Sequence, residues 1–377
     1  MQPVSRKNQK FLSLHHFLSN QFVLKTIIKG TGHHLPERVI ENSYFLSSRF
    51  MDKNGQVNPK PTDQIIEKLE SITGIKSRRY VNDDEDSVPL MTKASLHAIQ
   101  DAGLDKEEID GIIVSHNAGN MLPGGKGYHT IPNMAALLKN SLAIKNFNCF
   151  AYDVLFGCPG WIQGMVSAHQ AIQLKDARNV LVVGIEVASR FVDVYDLDSM
   201  ILADGCGAAI VSASNEMSGG VISYATYSHA QEDVSCIYQS SSYNKEIDNF
   251  SLFKMNGREV YKYATIWLPR VIKEALDKAS LTASDVSMFL FHQANGKMLH
   301  AIANNLAEMY NLKNLSFDGK IPTTIEFTGN TSVATIPNML SMIRKGELGE
   351  FKIREGDIVV FASVGAGMHC NAMVYQF

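Results

Sequence analysis

Short aliphatic runs alternate with longer stretches of helical periodicity along nearly the whole chain. The runs KTIIK at 25–29, GIIVS at 111–115, VLVV at 180–183, AAIV at 208–211, MFLF at 288–291, DIVVF at 357–361 and AMVY at 372–375 predict strands. Most are continuously apolar rather than alternating, as expected of strands covered on both faces. Helical spacing predicts helices over 87–102, 160–174, 259–279, 297–310 and 335–344. The alternation predicts an α/β protein with crossover connections and mainly parallel sheets.

One plan occurs twice. Gly157 and Cys158 open a helix that leads to the strand at 180–183 and then to DGCGAAIV at 204–211. Gly329 and Asn330 open a helix that leads to IVVF at 358–361 and then to GAGMHCNAMV at 365–374. This predicts two duplicated halves, residues 24–213 and 214–377, divided at the polar stretch Ser214 to Gly220 and preceded by an extension, residues 1–23. Cys158 and Asn330 hold matching places, so both can face one cleft between the halves, where ligands bind in such sheets.

Composition narrows the class. Hydrophobic residues make up 45% and charged residues 19% of 377, a globular balance with enough chain for two cores. A formal charge of −3 gives no footprint for nucleic acid. Five cysteines, at 149, 158, 206, 236 and 370, include no CxxC pair and no zinc spacing. They predict neither a disulfide framework nor a metal site and fit a reduced, cytoplasmic setting. No apolar run nears the roughly 20 residues a bilayer span needs. Arg6, Lys7 and Lys10 ahead of Phe11, Leu12 and Leu14 allow an amphipathic targeting helix. Without a long apolar region or cleavage signal, a plain extension is the favoured reading.

Three residues carry candidate chemistry. Cys158 lies where an apolar strand gives way to a helix, and the positive end of a helix lowers a thiol pKa, which predicts a nucleophilic thiolate. Its alternative is ordinary packing, the reading kept for Cys149, Cys206 and Cys370. His292 follows the strand 288–291, at the end that faces the ligand crevice, or is a satisfied core imidazole. Asn330 is a site donor or a helix N-cap.

Jointly, Gly157-Cys158, HQAN at 292–295 and GNTS at 329–332 resemble the 3-oxoacyl-[acyl-carrier-protein] synthase III family of the thiolase superfamily. So do GTGHHLP at 30–36, TGI at 73–75 followed by Arg78 and Arg79, DGCGAA at 204–209 and GAG at 365–367. The likeness runs from about Leu24 to Phe377. It implies a thiolase-like fold, a layered αβαβα sandwich of two duplicated halves, and a homodimer. It implies acyl transfer to Cys158, then a decarboxylating Claisen condensation with a malonyl-type or β-ketoacyl carrier-protein thioester. His292 and Asn330 would hold the thioester oxygen while the carbanion forms, and the backbone N–H groups of Cys158 and Ala366 would form the oxyanion hole. No cofactor or metal is implied, because substrates arrive on the phosphopantetheine of an acyl carrier protein or coenzyme A. Asn295, Lys297, Arg258 and Lys262 match the region that meets the carrier, with a solvated helix face as the alternative for Arg258 and Lys262.

The departures shape the expected substrate. Lys68 stands where the family has an adenine-stacking Trp, Ile72 where an Arg accompanies it, and about Asp196 where another Arg meets phosphate; these favour an acyl carrier protein over coenzyme A as donor. The loop 117–130 is longer than in relatives, which suggests an unusual acyl group. Gln100 falls where hydroxymethylglutaryl-CoA synthases have a Glu base, against aldol chemistry by that machinery. Phe156 and Gly157 before the cysteine and Pro159 after it point away from initiating fatty-acid synthesis, toward a pathway such as dialkylresorcinol formation. The rivals are acyl transfer without decarboxylation, disfavoured by His292 with Asn330, and a non-catalytic ketosynthase partner subunit, disfavoured by Cys158.

Overall fold

The computed structural model describes residues 24–125, 127–216, 218–247, 251–312 and 315–377; the extension 1–23 lies outside the described residues. Strands β1 (Lys25–His34), β2 (Gly111–His116), β3 (Phe150–Leu155), β4 (Asn179–Val187) and β5 (Asp204–Ser214) form one sheet in the order β1-β5-β4-β2-β3. Strands β6 (Gly220–Ser228), β7 (Met288–Phe291), β8 (Ile358–Gly365) and β9 (His369–Gln376) form a second in the order β6-β9-β8-β7. The second order repeats the first four places of the first, and β3 is the extra edge.

The sheets are mixed, which corrects the expectation of mainly parallel ones. β2 runs parallel to β3 and β4, and β7 to β8, but β5 and β9 pair antiparallel with both their neighbours. For β9 the reason is connection length. Only Ala366–Met368 joins β8 to β9, far short of the dozen residues a parallel crossover requires.

The helices are α1 (Thr62–Thr73), α2 (Ser87–Ala102), α3 (Met134–Ser141), α4 (Gly160–Gln173), α5 (Gly257–Lys278), α6 (Gly296–Met309) and α7 (Thr335–Arg344). α4 and α7 lie between the sheets. Trp161, Met165, Met339 and Leu340 pack there with Ile113 and Val182 of one sheet and Leu290 and Phe361 of the other. α2 and α3 cover the outer face of the first sheet, α5 and α6 that of the second. The result is the αβαβα layering. A helix covered on all sides loses its polar face, and in α7 every residue from Thr335 to Ile343 is buried. Close layering also explains the glycines of the DGCG run: a Cβ on Gly207 would sit 2.5 Å from the backbone nitrogen of Asn338 in α7.

Candidate active site

Cys158 lies in the turn between β3 and α4. Gly157 turns the chain with a φ of 72°, a conformation that favours glycine, and its carbonyl accepts from Gly160 N–H at 2.9 Å. α4 then begins at Gly160. The second half brings its own glycine loop against this turn. A Cβ on Gly365 would lie 2.6 Å from the Cys158 nitrogen, and one on Gly157 would lie 2.9 Å from the Ala366 nitrogen. The two backbones therefore meet without side chains between them, and Phe156 stacks on His369 with ring centroids 4.1 Å apart beside the contact.

His292 leaves the end of β7, its N–H donating to the Ala362 carbonyl at 3.0 Å. Buried Gln293 secures the turn, donating to the Pro322 carbonyl at 2.8 Å and accepting from the N–H groups of Thr324 and Ile325. Asn330 is stitched across to the first half: its N–H donates to the Ile201 carbonyl at 3.0 Å, and its carbonyl accepts from Ala203 N–H at 2.9 Å. Its Oδ1 accepts from Ser332 N–H at 2.8 Å, which leaves the Nδ2 donor for another partner. Asn330 is not the cap of α7, which begins five residues later after a short 3₁₀ turn, Ser332–Ala334.

Cys158, His292, Asn330 and Ala366 line one cavity together with Asn117, Glu186 and Ser332. Its remaining wall is apolar, including Phe191, Leu202, Ile237, Phe253, Met255 and Met298. Burial pushes the His292 imidazole down to about 4, opposed by the Ser332 main chain, so the ring is neutral at physiological pH. Its buried Nδ1 has no protein partner.

The expected low thiol pKa is not what the site produces. Crowding by protein raises the Cys158 thiol, against a lowering contact from the Ser332 hydroxyl, whose Oγ lies 3.3 Å from Sγ. α4 starts two residues after Cys158, so the helix terminus acts at a distance while desolvation acts at the sulfur.

The other expected site residues lie apart. Asn295 caps α6, accepting from Lys297 N–H at 2.9 Å. Lys297, Arg258 and Lys262 are exposed, with Lys262 3.8 Å from Glu259. Lys68 and Ile72 are exposed on α1, which packs against α6. Asp196 is no surface phosphate position: it is 6% exposed and its Oδ2 lies 3.3 Å from Lys254 Nζ, which also binds Asp193 at 2.5 Å. Gln100 is exposed on the outer helix α2. The carboxyl inside the site is instead Glu186, and sequence reasoning passed over it together with Ser332 and the side chain of Asn117. The available signal was an ionisable residue closing an otherwise apolar strand.

Among the described residues no cluster of His, Cys, Asp and Glu could hold a metal ion, and no helix is long and apolar enough to cross a membrane. Residues 152–230 match the family described as 3-oxoacyl-[acyl-carrier-protein (ACP)] synthase III, and residues 276–377 match its C-terminal counterpart. The β-ketoacyl-[acyl-carrier-protein] synthase III of Staphylococcus saprophyticus is 32% identical over 93% of this chain and 98% of its own length. The solved structure of the synthase III from Thermus thermophilus is 30% identical, with a TM-score of 0.75 over 93% of this chain and 98% of the other. That from Aquifex aeolicus is 27% identical, with a TM-score of 0.75 over 94% of this chain and all of the other.

Proposed function

Because the chain belongs to the β-ketoacyl-[acyl-carrier-protein] synthase III family, we propose that Cys158, His292 and Asn330 carry out its decarboxylating condensation. The protein is a synthase III-like condensing enzyme of thiolase-like fold. The Cys158 thiolate attacks a donor acyl thioester, and the donor thiol leaves. A malonyl-type thioester then enters, and its carbonyl oxygen accepts from His292 and from Asn330 Nδ2. Loss of carbon dioxide leaves electron density on that oxygen, where two preplaced neutral donors stabilise it. The carbanion attacks the acyl carbonyl on Cys158, whose developing oxyanion takes the N–H groups of Cys158 and Ala366. Collapse expels Cys158 and releases the β-ketoacyl product.

The observation that carries this reading is the pairing of donors. Asn330 is held with Oδ1 occupied and Nδ2 left over, and His292 is kept neutral, in the same cavity as the thiol. The acyl donor is an acyl carrier protein rather than coenzyme A: Lys68 and Ile72 lack the aromatic and guanidinium groups for a nucleotide, and exposed Lys297, Arg258 and Lys262 suit an acidic carrier. The enzyme works as a cytoplasmic homodimer paired through β3, a sheet edge that carries Leu155 at 68% exposure.

The test incubates the protein with acyl thioester and malonyl carrier protein and follows mass and carbon dioxide. A single acyl adduct lost in Cys158→Ala, and carbon dioxide release lost in the His292→Ala, Asn330→Ala double variant, are expected. An adduct that persists in Cys158→Ala overturns the nucleophile, and undiminished release in the double variant overturns the donors.

A further inference from the structure

Glu186 is a carboxyl inside the cavity to which the condensation above gives no task. It is 2% exposed near the end of β4. Asn117 Nδ2 donates to it and also to Ser332 Oγ at 2.8 Å. Ser332 in turn lies 3.3 Å from Cys158 Sγ, and its hydroxyl is close enough to Glu186 to hold that carboxyl down. The directions follow from the donors available. An amide nitrogen only donates, so Ser332 Oγ accepts from Asn117 and has one hydroxyl hydrogen to place. With Asn117 donating to Ser332 Oγ, that oxygen can also accept from the Cys158 S–H, and the Ser332 hydroxyl hydrogen is then free to turn to Glu186.

We propose that Glu186 takes the Cys158 proton through Ser332 during acyl loading and gives it to the departing donor thiol. This rests on Cys158 being the acyl acceptor. The proton count closes. The S–H bond breaks as an O–H bond forms at Ser332, and the former Ser332 proton moves to the Glu186 carboxylate. The thiolate forms a C–S bond with the acyl carbon and the donor C–S bond breaks; Glu186 returns a proton to Ser332 Oγ as the Ser332 hydroxyl proton passes to the departing donor thiolate beside it. Glu186 ends ionised and ready for another cycle.

The relay meets a need that the site itself creates. The thiol is raised by burial, so loading requires a proton acceptor. His292, held at about 4, is a weak base, whereas burial lifts the Glu186 carboxyl to about 8, where a group both accepts and returns protons near neutrality. Beyond Cys158, the charged group facing Glu186 is Asp204 on neighbouring β5. Asp204 accepts from the Ser189 hydroxyl at 2.6 Å and from the N–H groups of Ser189 and Val81, with Arg190 nearby. His116, next to Asn117, is occupied by Asp153 at 2.9 Å. Glu186 acts on the substrate only through Ser332 and Cys158, as a positioning residue for the proton.

The test measures the rate of Cys158 acylation by intact mass across neutral pH, using an acyl-pantetheine thioester. Wild type, Glu186→Gln, Glu186→Asp, Ser332→Ala and the Glu186→Gln, Ser332→Ala double variant are compared, with near-ultraviolet circular dichroism as the check on folding. Wild-type loading should rise with pH and level off above about 8. Glu186→Gln should load roughly 10²-fold more slowly and lose that inflection, since positioned proton transfer typically contributes at least this much. Glu186→Asp should recover part of the rate and the inflection, and the double variant should be no slower than its slower parent. A folded Glu186→Gln protein with wild-type rate and inflection overturns the relay, as do losses that multiply in the double variant. Absence of any acyl adduct in wild type instead overturns the role of Cys158 and the relay with it.

Discussion

Replacing Gly365 with Ala isolates the geometry of the proposed oxyanion site, because it adds one methyl group and changes no chemistry. The backbone there is extended, with a φ of −165°, so alanine meets no conformational penalty. The cost is contact. The new Cβ would lie 2.6 Å from the Cys158 nitrogen and 2.7 Å from Pro159 Cδ, both on the facing turn. Restoring ordinary contact at about 3.5 Å requires the turn and the glycine loop to part by roughly 0.9 Å. Overpacking of this kind costs about 1–3 kcal/mol of stability. The catalytic effect is larger, because in the proposed mechanism the Cys158 and Ala366 N–H groups converge on one oxygen. A misplacement near 1 Å costs on the order of 10²-fold, and loss of one such donor about 10²–10³-fold. Condensation kcat, read as carbon dioxide and ketone product, should therefore fall at least about 10²-fold, while the melting temperature falls by a few degrees and malonyl docking persists. A Gly365→Ala protein that condenses at the wild-type rate refutes the assignment of these two N–H groups.

Three further predictions follow from neighbouring features. Ser332 is held at a φ of +50°, where a residue with a side chain is strained by about 1–2 kcal/mol and glycine is not. Ser332→Gly and Ser332→Ala both remove the hydroxyl, so chemical denaturation should find the glycine variant more stable by about 0.5–1 kcal/mol after allowing for its chain entropy, the reverse of the order in an ordinary helix or strand. Reversing Arg258, Lys262 and Lys297 to Glu should raise KM for a carrier-protein substrate and flatten its salt dependence, with kinetics on a free pantetheine thioester unchanged. His292 folds with its pKa lowered from 6.5 to about 4, so the unfolded ring takes up a proton between those values that the folded ring refuses. Stability is thus lost as pH falls through this window, by about 1.4 kcal/mol per unit from this residue, and urea titrations of His292→Gln should show a slope shallower by that amount.

How much of this was legible depends on how far each signal reaches. The central strands read plainly, because both faces are covered and the apolar run is continuous, as in β4 and β8. β6 was missed: Val221, Ile222, Tyr224, Thr226 and Tyr227 favour a strand, but only Gly220 and Ala225 of its nine residues are fully buried, so no continuous apolar run marks it. Strand direction was misjudged because alternation of strands and helices does not tell a return from a crossover: the return into β9 is only Ala366–Met368, but that into β5 spans residues 188–203, long enough for a parallel connection. Cys158, His292 and Asn330 were each ambiguous locally and became candidates only as a set. Asp196 shows the limit of reading by correspondence: the resemblance marks it only as standing where relatives have an arginine, while the fold uses it to pair with the buried Lys254.

The charge state of Cys158 shows why the remainder was out of reach. A helix start is a local feature, and its influence, about 0.3–1 kcal/mol and at most about 2 in buried settings, is legible in any strand–turn–helix segment. Desolvation depends on everything packed around the sulfur, including Ser332, 174 residues away, and the loop at Ala366 from the other half. At Cys158 the two oppose each other, and the thiol is raised, so the collective effect outweighs the local one. The carboxyl that could resolve this lies in an apolar strand and is joined to the thiol by an asparagine 69 residues before it and a serine on another loop. No motif spans those distances. A nucleophile at a helix start inside a closed thioester cavity therefore needs a proton acceptor as well as a dipole, and the place to seek one is among the buried carboxyls of the strand ends around it.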